Sequence, residues 1–176
     1  MNSKLIFKNI GRFVLILALQ VLVFNNIYLG GYINPCLYVL FIAMLPTNTG
    51  RIPMMLIAFV CGMCVDVSMN MPGFHAAACT LVGFLRGIWL DRIILRDNDE
   101  TIETPNIHDV PYQQFLIYLF LLLFIFHLAY FTLLVFSLIE LPGILLSTLL
   151  STIVTWILAL LYQTLFFRKS KTIETH

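Results

Sequence analysis

The chain has 176 residues, of which 60% are hydrophobic and only 11% charged, and its formal net charge is +1. A soluble globular protein averages roughly 25% charged residues, so this composition excludes that class and indicates a membrane protein of about one domain. Nothing in so neutral a chain points to nucleic acid, and we expect none among its partners.

The first predicted element is a membrane helix. Lys4, Lys8 and Arg12 precede an apolar run that ends at Phe24-Asn25-Asn26. A secretory signal would end in small residues that mark a cleavage site. No such site follows this run, so we interpret it as an uncleaved first helix.

The second predicted segment is short for a bilayer crossing. Pro35 and Pro46 bound its apolar part, and ten helical residues reach only ~15 Å, about half of the hydrocarbon core. The segment therefore either borrows residues on both sides, from about 32 to 48, or is kinked or re-entrant. Proline is tolerated in a membrane helix when its neighbours satisfy the freed carbonyl. We predict a span.

Four more spans complete a single integral membrane domain over residues 1–176, which we predict to be all-α with six transmembrane helices. The predicted spans cover residues 13–29, 32–48, 53–70, 75–94, 113–139 and 144–167, and a polar linker covers 95–112. Pro105 and Pro111 make a long helix in the linker unfavourable.

The positive charges predict the orientation of these spans. Nine of the ten Lys and Arg residues lie at one end of the predicted bundle, whereas the turns 29–35, 70–75 and 140–143 at the other end contain none. Because Lys and Arg concentrate in cytoplasmic loops, both termini and the linker are predicted to be cytoplasmic.

The stretch from residue 62 to 87 contains the unusual polar residues. Asp66 lies in an apolar helix, the chain turns at Pro72-Gly73, and the next helix carries His75 and Arg86. Depth along a straight hairpin separates Asp66 from Arg86 by about 12 Å. We therefore predict that Asp66 accepts hydrogen bonds from His75 or the first amides of the fourth helix; a direct functional role is the alternative. Arg86 is predicted to extend its head to the cytoplasmic interface.

Small residues recur along both helices of this hairpin. They lie at i, i+4 and i+8: Ala58, Gly62 and Asp66 on the third helix, and Cys79, Gly83 and Gly87 on the fourth. Because small residues let membrane helices approach closely, we predict that these two helices form a tight pair.

The last two spans carry a second polar set. His127 on the fifth helix lies at the depth of Thr155 on the sixth, which also carries Ser147 and Ser151 at i, i+4 spacing. We predict an interhelical hydrogen bond between His127 and these hydroxyls. A proton relay would need a chain of ionisable groups, and the histidine is alone.

Sequence motifs for catalysis are absent. There is no H-E-x-x-H, no G-x-S-x-G and no glycine-rich phosphate loop, so we expect no enzymatic activity and no cofactor. Cys61 and Cys64 form a C-x-x-C, but a redox pair needs a water-exposed thiolate. In an apolar helix, we expect these small side chains to serve packing.

The hairpin resembles that of the MreD family, the rod shape-determining membrane proteins of bacteria. The likeness is carried by Gly62-x-x-x-Asp66, then Pro72-Gly73-Phe74-His75-Ala76, then a small-residue helix that reaches Arg86. The form here looks like the Bacteroidetes version. Many relatives have P-L-G where this chain has Pro72-Gly73. Length, six spans, cytoplasmic termini and the polar linker extend the likeness over the whole chain.

This resemblance implies a non-enzymatic, multi-pass subunit of the cell-elongation machinery in the bacterial inner membrane. Its expected primary partner is the bitopic protein MreC. Through that complex it would support the elongation transpeptidase, the RodA polymerase in peptidoglycan synthesis, and the MreB cytoskeleton. The candidate structural or partner-binding residues are Gly62, Asp66, Pro72, Gly73, His75 and Arg86.

The resemblance also implies a fold akin to the substrate-binding subunits of energy-coupling-factor transporters. A small-solute-binding transporter subunit is therefore the alternative function. Such subunits dock through an alanine-x-x-x-alanine face on their first helix, and the first helix here has only Ala18. They also need a polar pocket open to the outside, whereas the outer turns predicted here are short.

Overall fold

A computed structural model of the chain describes residues 3–26, 32–94, 102–137 and 139–166. The described residues form six α-helices and no β-strand. The α-helices are α1 (Ser3–Leu22), α2 (Val39–Ala43), α3 (Arg51–Met69), α4 (Phe74–Trp89), α5 (Tyr112–Val135) and α6 (Leu141–Phe166). A 3₁₀ turn, Phe24–Asn26, follows α1, and a π-helical turn, Leu90–Ile94, extends α4.

Four helical stretches are long and apolar enough to cross a membrane. They are Asn9–Asn26, Arg51–Met69, Tyr112–Val135 and Leu141–Phe166. Together with the apolar side chains on their outer faces, they identify a membrane protein with transmembrane helices. The fourth predicted span, 75–94, is helical throughout, but α4 itself has only 16 residues.

The predicted span over 32–48 is not a continuous helix, and the kinked alternative describes this segment better. Only Val39–Ala43 is α-helical, and we call residues 34–45 the broken segment. It runs inside the bundle, where every residue from Cys36 to Leu45 is at most 7% exposed. Pro35 lacks an amide hydrogen, and the neighbouring helices supply side-chain partners that replace the missing helical hydrogen bonds, as shown below.

Several predicted helix ends differ from the observed ones. Helix α5 ends at Val135 rather than at 139, because Phe136 adopts a left-handed conformation with φ of 44°. Helix α6 begins at Leu141 rather than at 144, with Pro142 near its start, where the missing amide hydrogen is tolerated. Predicted features at 27–31, 95–101 and from 167 onward lie outside the described residues.

The bundle has two ends, each formed by the turns between its helices. The turn 70–73 and the turn residues 136–137 and 139–140 lie at one end, which we call the outer end. At the opposite, inner end, the Thr47 hydroxyl donates to the Ile102 carbonyl at 2.6 Å, and the Thr47 amide donates to Glu103 at 3.0 Å. The described part of the linker therefore attaches directly to the turn that follows the broken segment.

Close approach of α3 and α4 confirms the predicted tight pair. A Cβ atom at Gly62 would lie 2.5 Å from the Ala76 Cα, and one at Gly83 would lie 2.9 Å from the Ala58 Cβ. Gly87 differs from the prediction, because a Cβ there would meet no atom within 4 Å. The close contact therefore covers the outer and middle parts of the pair.

Candidate functional site

Asp66 holds the start of α4. One carboxylate oxygen accepts from the His75 amide at 3.1 Å, and the other accepts from the Ala76 amide at 2.8 Å. The first amides of a helix have no partner within it, and a negative charge at that position is favourable. Asp66 is only 1% exposed, so it caps α4 from inside the bundle. The hydrogen bonds predicted for Asp66 are confirmed.

The turn between the helices depends on two unusual backbone conformations. Asn70 ends α3 in the left-handed region with φ of 53°, and Gly73 precedes α4 with φ of 103°. Only glycine adopts the latter without steric cost. The Asp66 carbonyl also accepts from the Met71 amide at 2.9 Å. One residue thus fixes both sides of the turn, through its backbone and its side chain.

Gly62 allows this arrangement to form. It lies one helical turn before Asp66 on α3, and a Cβ at this position would lie 2.6 Å from both the Ala76 nitrogen and the His75 carbonyl oxygen. A larger residue would push α4 away from α3. Because Asp66 must reach the amides of His75 and Ala76 with a short side chain, it depends on the contact at Gly62.

His75 connects the hairpin to the broken segment. Its Nδ1 lies 2.7 Å from the Tyr38 hydroxyl, and its ring stacks on Tyr130 of α5 with centroids 4.4 Å apart. Phe126 packs beside the same ring and meets Tyr38 edge-on. Sequence analysis did not identify Tyr38 or Phe126 as partners of His75, because nothing in the sequence shows which aromatic rings share its depth.

Arg86 also serves the broken segment. Its side chain is 1% exposed, its Nε donates to the Ala43 carbonyl at 3.4 Å, and its terminal nitrogen donates to the Leu45 carbonyl. The Tyr118 hydroxyl donates to Ala43 as well, at 2.9 Å. The prediction that Arg86 extends to the cytoplasmic interface is wrong. The carbonyls of Ala43, at the end of α2, and of Leu45, just after it, lack helical partners, and in a region without water they need side-chain donors.

The separation of Arg86 from Asp66 agrees with the depth estimate. Among the described residues, the donors to the Asp66 carboxylate are backbone amides, and the acceptors of Arg86 are backbone carbonyls. The six candidate residues therefore do not form one site. Five of them, Gly62, Asp66, Pro72, Gly73 and His75, meet at the outer turn, whereas Arg86 belongs to a second cluster nearer the inner end.

Side chains from α5 and α6 hold the outer end of the broken segment. The Asn34 amide donates to the Ser151 hydroxyl at 3.0 Å, and the Cys36 amide donates to the Thr155 hydroxyl at 3.1 Å. His127 Nε2 lies 3.3 Å from the Asn34 carbonyl oxygen and 3.4 Å from the Thr155 hydroxyl. The predicted contact between His127 and Thr155 is confirmed, and both also bind the broken segment.

Gln20 completes this arrangement from α1. Its side-chain amide donates to the Pro35 carbonyl at 2.8 Å and to the Asn25 side chain at 2.9 Å. Sequence analysis missed Gln20 and Asn34. The available signal was their polarity: each is an amide side chain in or beside an apolar run, where a buried polar group needs a partner.

An open groove follows the other face of the hairpin. It has a volume of about 690 Å³ and apolar walls. Small residues of α4 form its floor, and methionine and aromatic side chains form its walls. The lining residues are Met55, Phe59, Met63, Pro72, Gly73, Ala76, Ala77, Thr80, Leu81 and Phe84. Pro72, Gly73 and Ala76 therefore belong both to the turn fixed by Asp66 and to the groove.

Within the described residues, no three His, Cys, Asp or Glu side chains are grouped as metal ligands would be. Cys61 is buried and packs in the hydrophobic core, whereas Cys64 is partly exposed. Comparisons of the chain with family models, with curated proteins and with solved structures found no match. The resemblance to the MreD family is therefore a hypothesis that depends on the hairpin residues.

Proposed function

We propose that this protein is a non-enzymatic subunit of the bacterial cell-elongation complex. In this role it binds MreC in the inner membrane and supports the elongation transpeptidase, the RodA polymerase and the MreB cytoskeleton. The proposal includes six membrane crossings with both termini in the cytoplasm, and a fold akin to energy-coupling-factor substrate-binding subunits. The broken segment would be the second crossing, because it connects the outer end to the inner end.

The observation that carries the proposal is the contact among the residues of the motif. Gly62, Asp66, Gly73 and His75 are the residues that carry the resemblance to the family pattern. In the structure, Gly62 permits the close approach, Asp66 caps α4, and Gly73 supplies the positive φ. A motif whose members depend on one another is better explained by a shared architecture than by chance spacing.

The groove supports partner binding at this hairpin. Its floor includes small residues of α4, among them the exposed Ala77, which let an additional membrane helix approach the α4 backbone closely. Its methionine walls, Met55 and Met63, adapt their shape to an incoming side chain. A bitopic protein such as MreC offers one apolar helix, and that helix would contact Pro72 and Gly73 directly.

A solute-binding transporter subunit is the second candidate, favoured by the broken segment. Transporters often build their substrate sites from discontinuous membrane helices, where unwound backbone groups bind the ligand. In this protein, however, side chains of α1, α4, α5 and α6 occupy the backbone groups on both sides of α2. These occupied groups are unavailable to a solute, so the proposal ranks second.

Co-purification tests the two candidates. The tagged protein is extracted from membranes in mild detergent, and the co-purified proteins are probed for MreC, the elongation transpeptidase and an ATPase module. We expect MreC with the wild-type protein. Recovery of an ATPase module without MreC would establish the transporter alternative, and recovery of neither would contradict the proposal.

A matched pair of variants locates the binding surface. Ala77→Trp fills the groove from its floor, whereas Leu149→Trp places the same ring on an exposed position of α6, away from the groove. We expect Ala77→Trp to lose MreC and Leu149→Trp to retain it, with equal yields of both variants. Equal retention by both would show that MreC binds elsewhere.

A further inference from the structure

Three buried polar atoms near the outer end have no hydrogen-bond partner among the described residues. They are Nε2 of His75, the hydroxyl oxygen of Thr148 and the side-chain carbonyl oxygen of Gln20. All three side chains are at least nine-tenths buried. In a region without bulk water, an unpaired polar atom is unfavourable, and one that persists requires an explanation.

The three side chains connect to the same part of the broken segment. The His75 ring stacks on Tyr130, whose hydroxyl accepts from the Asn34 side chain at 3.3 Å. The Asn34 amide donates to Ser151, and Thr148 lies one turn away from Ser151 on α6. Gln20 donates to the carbonyl of Pro35, the residue after Asn34. The three side chains with unpaired atoms therefore belong to helices that each contact residues 34–38 of the broken segment.

The chemistry of these atoms defines the ligand that would satisfy them. The Gln20 oxygen can only accept, the Thr148 hydroxyl can donate and accept, and His75 Nε2 does either according to its tautomer. Among the described residues, the buried charges of the hairpin are directed elsewhere: Asp66 accepts from two backbone amides, and Arg86 donates to the Ala43 and Leu45 carbonyls. The matching ligand is neutral, small, and both a donor and an acceptor.

We propose that ordered water molecules bind at this site, between the start of the broken segment, α1, α4 and α6. Each buried water typically makes about three hydrogen bonds to polar groups that otherwise lack partners. Ser151, Thr155 and His127 bind the irregular backbone itself, and such waters satisfy the polar side chains packed around it. The site is a structural hydration site, independent of the function proposed above.

Radiolytic hydroxyl labelling tests the site directly. X-ray pulses generate hydroxyl radicals from water, so a buried ring next to bound water is oxidised although it is closed to solvent. The purified full-length protein in detergent is irradiated, and oxidation is mapped by mass spectrometry. We expect oxidation of Tyr130 to be several-fold faster than that of Tyr118, a ring of the same type that lies in the Arg86 cluster, and oxidation of His75 to be several-fold faster than that of Phe115; Tyr118 and Phe115 are equally buried. Oxidation of His75 at the rate of Phe115 would overturn the proposal.

Thermal unfolding of a Thr148 variant provides an independent test, because the midpoint shifts in opposite directions with and without bound water. If the Thr148 hydroxyl binds water, Thr148→Val removes a hydrogen bond and should lower the midpoint of thermal unfolding by about 2–4 °C. If the hydroxyl is dry and unpaired, the same change removes an unfavourable group and raises the midpoint, which would overturn the proposal. Thr164→Val is the control, since that exposed hydroxyl donates to the Leu161 carbonyl of its own helix.

Discussion

Replacing Asp66 tests whether its carboxylate holds the hairpin together. Asp66→Leu leaves the His75 and Ala76 amides buried without an acceptor. Each unpaired amide costs about 1–3 kcal/mol, so the two should cost about 2–6 kcal/mol. This is a large fraction of a typical stability of about 5–15 kcal/mol. Asp66→Asn keeps one acceptor oxygen and should lose about half as much, together with part of the favourable charge at the helix start.

Thermal unfolding in detergent, followed by size-exclusion recovery after heating, measures the effect. At about 2–4 °C per kcal/mol, the midpoint should fall in the order wild type, Asp66→Asn, Asp66→Leu. Val67→Leu on the adjacent, 71% exposed position controls for a general effect of substitution in α3 and should be neutral. The reasoning is refuted if Asp66→Leu is as stable as Asp66→Asn, because the two amides would then not depend on the carboxylate.

Three further predictions follow from the packing and from the charge distribution. Gly62→Ala should destabilise the protein by about 1–3 kcal/mol, because its Cβ overlaps α4, whereas Gly87→Ala has free space and should be neutral or stabilising in the same unfolding assay; equal effects would contradict the observed contact. Thr155→Val removes the acceptor of the Cys36 amide and a partner of His127, and should cost about 1–3 kcal/mol; an unchanged midpoint would mean that these bonds add nothing. In a variant without native cysteines, a cysteine at Asn70 should react with an impermeant thiol reagent from the periplasm and one at Asn48 should not; the reverse pattern would invert the topology.

Predictions from the sequence succeeded where they needed only the position of a residue along its helix. Depth along a helix is a matter of counting, so the placement of Asp66 near the start of α4, away from Arg86, could be predicted. The same counting predicted the contact between His127 and Thr155. The small residues at helical spacing likewise predicted the close approach at Gly62, because their packing depends mainly on the two helices that carry them.

Prediction failed where the conformation of a segment depends on contacts with several other helices. The broken segment was predicted as a helix because its hydrophobicity is that of a membrane span, and hydrophobicity does not show which backbone groups find partners elsewhere. The error at Arg86 has the same origin. If no acceptor were available inside the bundle, the Arg86 guanidinium would be most stable at the interface. Because the Ala43 and Leu45 carbonyls accept from it, the guanidinium is more stable in the interior.

The broken segment has a consequence for the order of assembly in the membrane. It leaves the ribosome well before α6, yet it depends on two residues of that helix. The Cys36 amide donates to the Thr155 hydroxyl, and the Gln163 side chain donates to the Met44 sulfur. A long helix satisfies its own backbone as soon as it enters the bilayer, but this segment cannot. It therefore reaches its final conformation only after α6 has been synthesised. Until then it must remain at the lipid interface or under the protection of the insertion machinery.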